Sequence, residues 1–417
     1  MPNRNPYTPG FGLSPPTLAG RAGVIDETLA ALRAGPRHPR FCFALLGHRG
    51  VGKTSVLDAI GERATSELGW PVVHRQAMRE GDLLGDVGEG LIPALGHWNR
   101  LGRDYRHLEK DLSIGFNLGV VSAKAKAKAN VHSTATAEGS GPGAFVELLR
   151  KVGTFARDHD SGVLITIDEA MTARRPDLVG MAGAIQTVVN RSQLPIAVIF
   201  AGLPSFREAI GVAGTFAERL SVQNLADLSP DASRLALVEP AAQLGVRWAP
   251  EALDLVTARS AGHPYYVQLF GYHSWEAGGG AEELTVAHVE AGIRVAETDL
   301  HGQFEGTWGR LRPQEQSFLS AVAVIGGSEP VPIVAVAASL KRSTGQLDVA
   351  RNRLVYQHGL LRSPGRGQVQ FHSHQFGDWV SENHAVVASP IRPNTSQQAQ
   401  NIKAIRARPQ PGRGFER

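Results

Sequence analysis

Gly47-His48-Arg49-Gly50-Val51-Gly52-Lys53-Thr54 has the spacing G-x-x-x-x-G-K-[ST], a pattern suited to holding phosphate. Its glycines let backbone N–H groups close around a di- or triphosphate, and the helix N-terminus behind them adds a favourable dipole. In that chemistry Gly47 to Thr54 and the following Ser55 contact the nucleotide. Lys53 reaches the β/γ-phosphates and the Thr54 hydroxyl coordinates Mg²⁺. His48 is expected to contribute only its backbone. A second pair of chemical residues, Asp168-Glu169, ends the hydrophobic run Gly162–Ile167. Asp168 would hold the Mg²⁺ hydration shell beside Thr54, and Glu169 would orient or deprotonate an attacking water. Adjacent carboxylates at a strand end are costly unless a cation or water needs them. The plainer alternative is a carboxylate pair capping a helix that begins near Ala170.

These residues need elements to position them. Phe41–Leu46 is apolar throughout, as a buried parallel strand should be, and Val56, Leu57, Ile60 and Ala64 then recur at helical spacing until Gly69. Val24, Ile25, Leu29 and Leu32 predict a helix before Gly35-Pro36. Trp70–His74 predicts a second strand and Phe145–His159 a helix. Gly162–Asp168 and Ile196–Phe200 predict two further buried strands. Strands alternating with helices imply a parallel sheet covered on both faces. The expected fold class is therefore α/β, a three-layer α/β/α P-loop sheet, followed by further helical modules. From Ser229 the pattern turns helical, with helices expected over 231–242, 250–260 and 265–277.

At 417 residues, 42% hydrophobic and 20% charged, the chain has room for two or three globular domains. Its single cysteine, Cys42, excludes an internal disulfide and suits a reducing, cytoplasmic setting. No apolar run approaches the ~18 residues of a membrane span, and Met1–Pro16 has no hydrophobic signal core. A net charge of +4 is compatible with nucleic acid without pointing to it. Residues 113–136 alternate apolar and polar positions, ending in Lys124, Lys126 and Lys128. A solvated edge is preferred there over a nucleic-acid-contacting arm. The domain expectation is a flexible segment 1–17, a base domain 18–228 with an insertion near 101–143, a helical lid 229–306, a C-terminal module 307–382, and a disordered basic tail 383–417. No Asn-Lys-x-Asp guanine reader follows the loop, which argues against a GTPase and favours adenine. No Leu-Ser-Gly-Gly-Gln run is present, which argues against a transporter-type ATPase. A small-molecule kinase stays open but would not need a lid followed by a separate module.

The order of phosphate loop, Asp-Glu strand end, Gly202-Leu203-Pro204, helical lid and C-terminal module over residues 15–380 resembles the AAA+/STAND ATPases. The likeness is strongest to the bacterial and archaeal ATP-binding proteins related to origin-recognition ATPases. The resemblance implies ATP and Mg²⁺ as ligands, with Gly20-Arg21 lying along the adenine and Gly202-Leu203-Pro204 replacing a polar sensor. It implies a γ-phosphate arginine at Arg219, often acting in a neighbouring subunit of a nucleotide-dependent homo-oligomer; a helix-surface salt bridge is the equal alternative. Gly262-His263-Pro264-Tyr265 resembles the lid turn, with Pro264 at the nucleotide. Tyr265 and Tyr266 stand where relatives often carry an arginine, which implies slow turnover.

Beyond Pro313 three helices (313–323, 331–340, 344–358) and a two-stranded wing (360–363, 369–372) resemble a winged helix-turn-helix. Such a module would meet DNA with Ser343, Thr344 and Arg351 near bases and Arg362 or Arg366 on phosphates. A protein-binding or intramolecular clamp is the alternative. His372-Ser373-His374 lacks the cysteine or carboxylate partners of a metal site. The implied activity is slow ATP hydrolysis that switches the winged-helix module. The other reading is a nucleotide-gated regulatory protein with negligible hydrolysis.

Overall fold

The computed structural model describes residues 4–10, 12–100, 142–211, 220–327 and 329–384. Arg219, the Lys124–Lys128 ladder and the tail beyond 384 lie outside the described residues.

A five-stranded parallel sheet forms the centre of the base domain, in the order β2-β3-β4-β1-β5. The strands are β1 (Phe43–Leu46), β2 (Val72–Gln76), β3 (Val163–Asp168), β4 (Ile196–Gly202) and β5 (Ser221–Asn224). All four residues of β1, six of β3 and seven of β4 are buried, as expected of strands covered on both faces. Helices α1 (Ala22–Ala34), α2 (Lys53–Leu68), α3 (Leu83–Arg100), α4 (Pro142–Asp158) and α5 (Arg175–Ala184) pack around the sheet in one continuous core. A short helix α6 (Phe206–Gly211) follows β4. Helix α2 stops where expected, because Gly69 takes a left-handed conformation and its N–H returns to Ala64 and Thr65 carbonyls.

The lid contains α7 (Pro230–Ala242), α8 (Pro250–Ser260), α9 (Pro264–Gly278) and α10 (Val286–Gly309), with a two-residue parallel pairing of β6 (Arg247–Trp248) and β7 (Glu283–Leu284). Helix α7 is capped by Ser229, whose side chain accepts from the Ala232 N–H, and begins with Pro230 at a position that needs no donor. The C-terminal module contains α11 (Pro313–Gly326), β8 (Val331–Pro332), α12 (Ile333–Ser339), α13 (Thr344–Asn352), β9 (Leu361–Arg362), β10 (Gln368–Phe371) and α14 (His374–His384). Its small antiparallel sheet runs β8-β10-β9. Helices α11, α12 and α13 pack with this sheet, and α14 closes the module by placing Phe376, Trp379 and Val380 in its core.

The structure corrects several expectations. Helix α10 is continuous from 286 to 309, so the lid and the C-terminal module share a helix where a boundary at 306/307 was expected. Phe304, inside that helix, packs against both hydrophobic cores. The described residues of the segment 1–17 are anchored through Tyr7. Tyr7 is 1% exposed, its hydroxyl donates to the Leu237 carbonyl at 2.6 Å and accepts from the Trp248 indole at 3.0 Å. Burying such a ring contributes about 1.5–3 kcal/mol, enough to fix a short polar strap. The third helix of the C-terminal module ends at Asn352 and gives way to a wider π-type turn over 353–357. Arg353, which opens that turn, is ion-paired to Glu315, which is 1% exposed. A buried carboxylate requires such a partner.

Candidate functional site

The carboxyl ends of β1, β3 and β4 meet at one edge of the sheet, where ligands bind in open α/β folds. The Gly47 N–H donates to the Gly202 carbonyl at 3.1 Å, so the phosphate loop leaves β1 pinned against the end of β4. Thr54, in the first turn of α2, donates its hydroxyl to the Asp168 Oδ2 at 2.5 Å. The other oxygen, Oδ1, accepts the Glu169 N–H at 2.7 Å. Asp168 is 6% exposed. Glu169 sits at φ 48°, a left-handed backbone that costs a non-glycine residue about 1 kcal/mol or more. That turn leads directly into a short 3-10 segment, Ala170–Thr172, rather than a capped α-helix.

Lys53 is buried, and its ammonium donates to the Gly47 and His48 carbonyls at 3.0 and 2.8 Å. Burial lowers its pKa, with the carboxylates of Glu169 and Asp168 opposing that shift. Arg21 is also buried, and donates to the Val51 and Ala226 carbonyls at 3.0 and 2.8 Å. It therefore braces the phosphate loop from α1. Gly50 has φ 75°, and a Cβ there would come within 2.5 Å of the His263 ring. Only glycine lets the lid turn approach the loop this closely.

These residues line a cleft of about 860 Å³ between base, lid and C-terminal module. Gly47 is not among its lining residues; Arg21 and His48 to Ser55 are, together with Asp168, Glu169 and Pro264. The N-terminal strap contributes Thr8, Gly10, Leu13, Pro15, Thr17 and Leu18 along one wall. Tyr265 and Gln303 face the cleft from the lid, joined by a 2.9 Å hydrogen bond. Sequence reasoning missed the third wall: His358, Gly359, Leu360, His372, Ser373 and Phe376 reach the cleft from the C-terminal module. No local signal marks them, because they depend on how the module folds back.

The structure also corrects the reading of His48. Its side chain is buried, lies 2.7 Å from the Asp227 carboxylate, and stacks edge-on against His372 at 3.9 Å between ring centroids. Among the described residues no group of three or more His, Cys, Asp or Glu is arranged to hold a metal ion. The expected DNA positions are placed less compactly. Ser343, Thr344, Arg362 and Arg366 are exposed. Ser343 caps α13, Arg351 pairs with Asp348 at 3.3 Å, and Arg362 donates to the Gln370 side chain at 3.1 Å.

A domain of unknown function, DUF8462, matches residues 301–380, the end of α10 and the C-terminal module. No curated protein matches the chain. Among solved structures the chain resembles the Walker-type ATPase of Pyrococcus abyssi, with 13% identity and a TM-score of 0.59, over 87% of this chain and 96% of that one. More distant matches include the RuvB Holliday junction branch migration motor of Thermotoga maritima (18% identity, TM-score 0.44, 87% and 96% covered). Another is the Aeropyrum pernix Orc1 protein in complex with DNA (17% identity, TM-score 0.41, 88% and 94% covered). The chain has the P-loop NTPase α/β fold, which it shares with the Pyrococcus abyssi ATPase. Among the described residues no helix is long and apolar enough to cross a membrane.

Proposed function

We propose that the protein binds ATP with Mg²⁺ between base and lid and hydrolyses it slowly, using the nucleotide to set the posture of its C-terminal winged-helix module. The observation that carries this reading is the 2.5 Å contact between Thr54 and Asp168 beside the buried ammonium of Lys53. Two hard oxygen donors at one point fit a divalent cation, and a buried cation held only by carbonyls fits a phosphate chain. Bound Mg²⁺ would supply Lewis-acid neutralisation of phosphate charge.

The chain's own residues do the rest. Thr54 and Asp168 hold the cation's coordination sphere. Lys53 donates to phosphate oxygens in place of the Gly47 and His48 carbonyls. Loop N–H groups from His48 to Thr54 orient the phosphates, and Glu169 accepts a proton from the attacking water or aims it. Arg21, held by Val51 and Ala226, keeps the loop in place beside the base. Arg219 would add transition-state charge if a neighbouring subunit brought it to the site.

The alternative without hydrolysis draws support from the lid. Tyr265 and Tyr266 follow Pro264 and contribute no cation to the cleft. A single-turnover assay with Glu169→Gln separates the two readings. Loss of phosphate release by 100-fold or more, with ATP affinity within a few-fold of wild type, supports hydrolysis. Equal phosphate release from both proteins overturns it. Among partners, DNA is favoured by the exposed Ser343, Thr344, Arg362 and Arg366; a protein partner is the other occupant of the same module. We place the protein in the cytoplasm, since its single Cys42 needs no oxidising compartment.

A further inference from the structure

Three histidines from three parts of the fold meet above the phosphate loop. His48 belongs to the loop, His263 to the lid turn before α9, and His372 follows β10 of the C-terminal module. The His48 ring centroid lies 5.0 Å from that of His263 and 3.9 Å from that of His372. Both His48 nitrogens face oxygen acceptors: Nδ1 is 2.8 Å from the Arg49 carbonyl and Nε2 is 2.7 Å from Asp227 Oδ1. The other two rings are less well provided. The Nε2 of His263 lies 3.2 Å from the Arg49 carbonyl, while the Nδ1 atoms of His263 and His372 are buried without a hydrogen-bond partner.

The charged and titratable groups around the cluster come from every packed element. Arg49 and Lys53 belong to the loop, Asp227 to the turn after β5, and Tyr265 and Tyr266 to the lid. Arg362 and His358 come from the C-terminal module. Asp227 is the carboxylate in that set, and His48 already occupies it. Burial pushes Asp227 up, but the His48 hydrogen bond and the neighbouring histidines together hold it below the ordinary value. A proton added to His263 or His372 would therefore meet the other histidines, with Arg362 also facing His372, and would share Asp227 with His48.

We infer that His48, His263 and His372 form a proton-operated latch that clasps the lid and the C-terminal module onto the phosphate loop and releases when His263 and His372 are protonated. The contacts it closes are those between modules. Tyr266 and Ser373 share a 2.7 Å hydrogen bond, and the Gln375 amide donates to the Arg259 carbonyl at 2.5 Å. The linkage has a definite sign. Burial lowers the pKa of both histidines from 6.5 to about 3, His48 adds to the shift, and Asp227 opposes it. Once released, each ring regains its ordinary value near 6.5. The closed form then binds fewer protons, so its stability is complete above pH 6.5 and falls as pH drops towards 3. At pH 5.5 each released imidazole favours opening about 11-fold, or roughly 100-fold for two.

The latch does not depend on the ATP reading, because its test uses the full chain without nucleotide. Amide hydrogen exchange of residues 262–267 and 369–376 is measured at pH 8 and 5.5, corrected for intrinsic chemical rates and referenced to Ile165 in the buried strand β3. Relative protection should fall roughly 100-fold in wild type at the lower pH. It should be unchanged in the double variant His263→Gln/His372→Gln and fall roughly 10-fold in His372→Gln alone. Protection that is equal at both pH values in wild type overturns the latch. An undiminished fall in the single variant overturns it too, and decides the matter if the double variant does not fold.

Discussion

Thr54 and Asp168 stand 114 positions apart and share a 2.5 Å hydrogen bond, because β1 and β3 end at the same edge of the sheet. That proximity was legible in the sequence, since Thr54 closes the glycine loop that follows one apolar run and Asp168 ends another. The role of the His48 side chain was not legible. Its partners, Asp227 and His372, become neighbours only when base and C-terminal module pack together, and no local pattern encodes that. Backbone demands at single residues also lead to a prediction. Gly262 has φ 77°, and a Cβ there would lie 2.4 Å from the Leu228 carbonyl oxygen, a backbone atom that cannot swing aside. Gly262→Ala should destabilise the protein by about 1–3 kcal/mol, which thermal unfolding reads as a midpoint lower by several degrees. An unchanged midpoint would mean that the base–lid hinge is looser than the Leu228–Gly262 hydrogen bond indicates.

At the scale of elements, long apolar strands and proline-started helices were readable, and the short or polar ones were not. Strand β5 is Ser221-Val222-Gln223-Asn224, with no buried residue, so periodicity could not reveal it. It exists because β1 offers an edge, pairing Phe43 with Ser221 through Leu46 with Asn224. Helix α10 was missed for the opposite reason: its buried face spans Val289 to Leu300 and serves two modules, which hides the boundary. In the C-terminal module, Glu315 links α11 to the turn after α13. It accepts from the Arg312 N–H at 2.9 Å and pairs with Arg353. Burial raises its pKa, but these contacts outweigh burial and hold it below 4.5. Its contribution is therefore complete above pH 4.5 and is lost as pH falls below that value. Glu315→Ala should cost about 3 kcal/mol at pH 7, since it strands Arg353, and the cost should shrink as pH drops towards 3. Denaturant titrations of both proteins at pH 7 and 3.5 check this; an equal penalty at both would show that packing, not charge, holds the helices.

For the whole molecule, one cleft is walled by base, lid, N-terminal strap and C-terminal module, so a ligand bound there has contacts within reach on all four. The sequence named the base and lid walls through their motifs. The strap and the third wall depend on Tyr7 and His372 reaching distant partners, which composition cannot show. If the C-terminal module meets DNA, duplex affinity should fall steeply with salt, and Arg362→Ala or Arg366→Ala should each flatten the log–log slope by about one unit. No binding at low ionic strength would exclude DNA and leave the protein-partner reading. The proposed switch depends on nucleotide binding at the phosphate loop. Calorimetric titration of Mg²⁺–ATP into wild type and Lys53→Ala tests it most directly. Saturable one-to-one binding by wild type, weakened by about 100-fold or more in the variant, is the predicted result, a loss of roughly 2.7 kcal/mol. Equal affinity in the two proteins would contradict it.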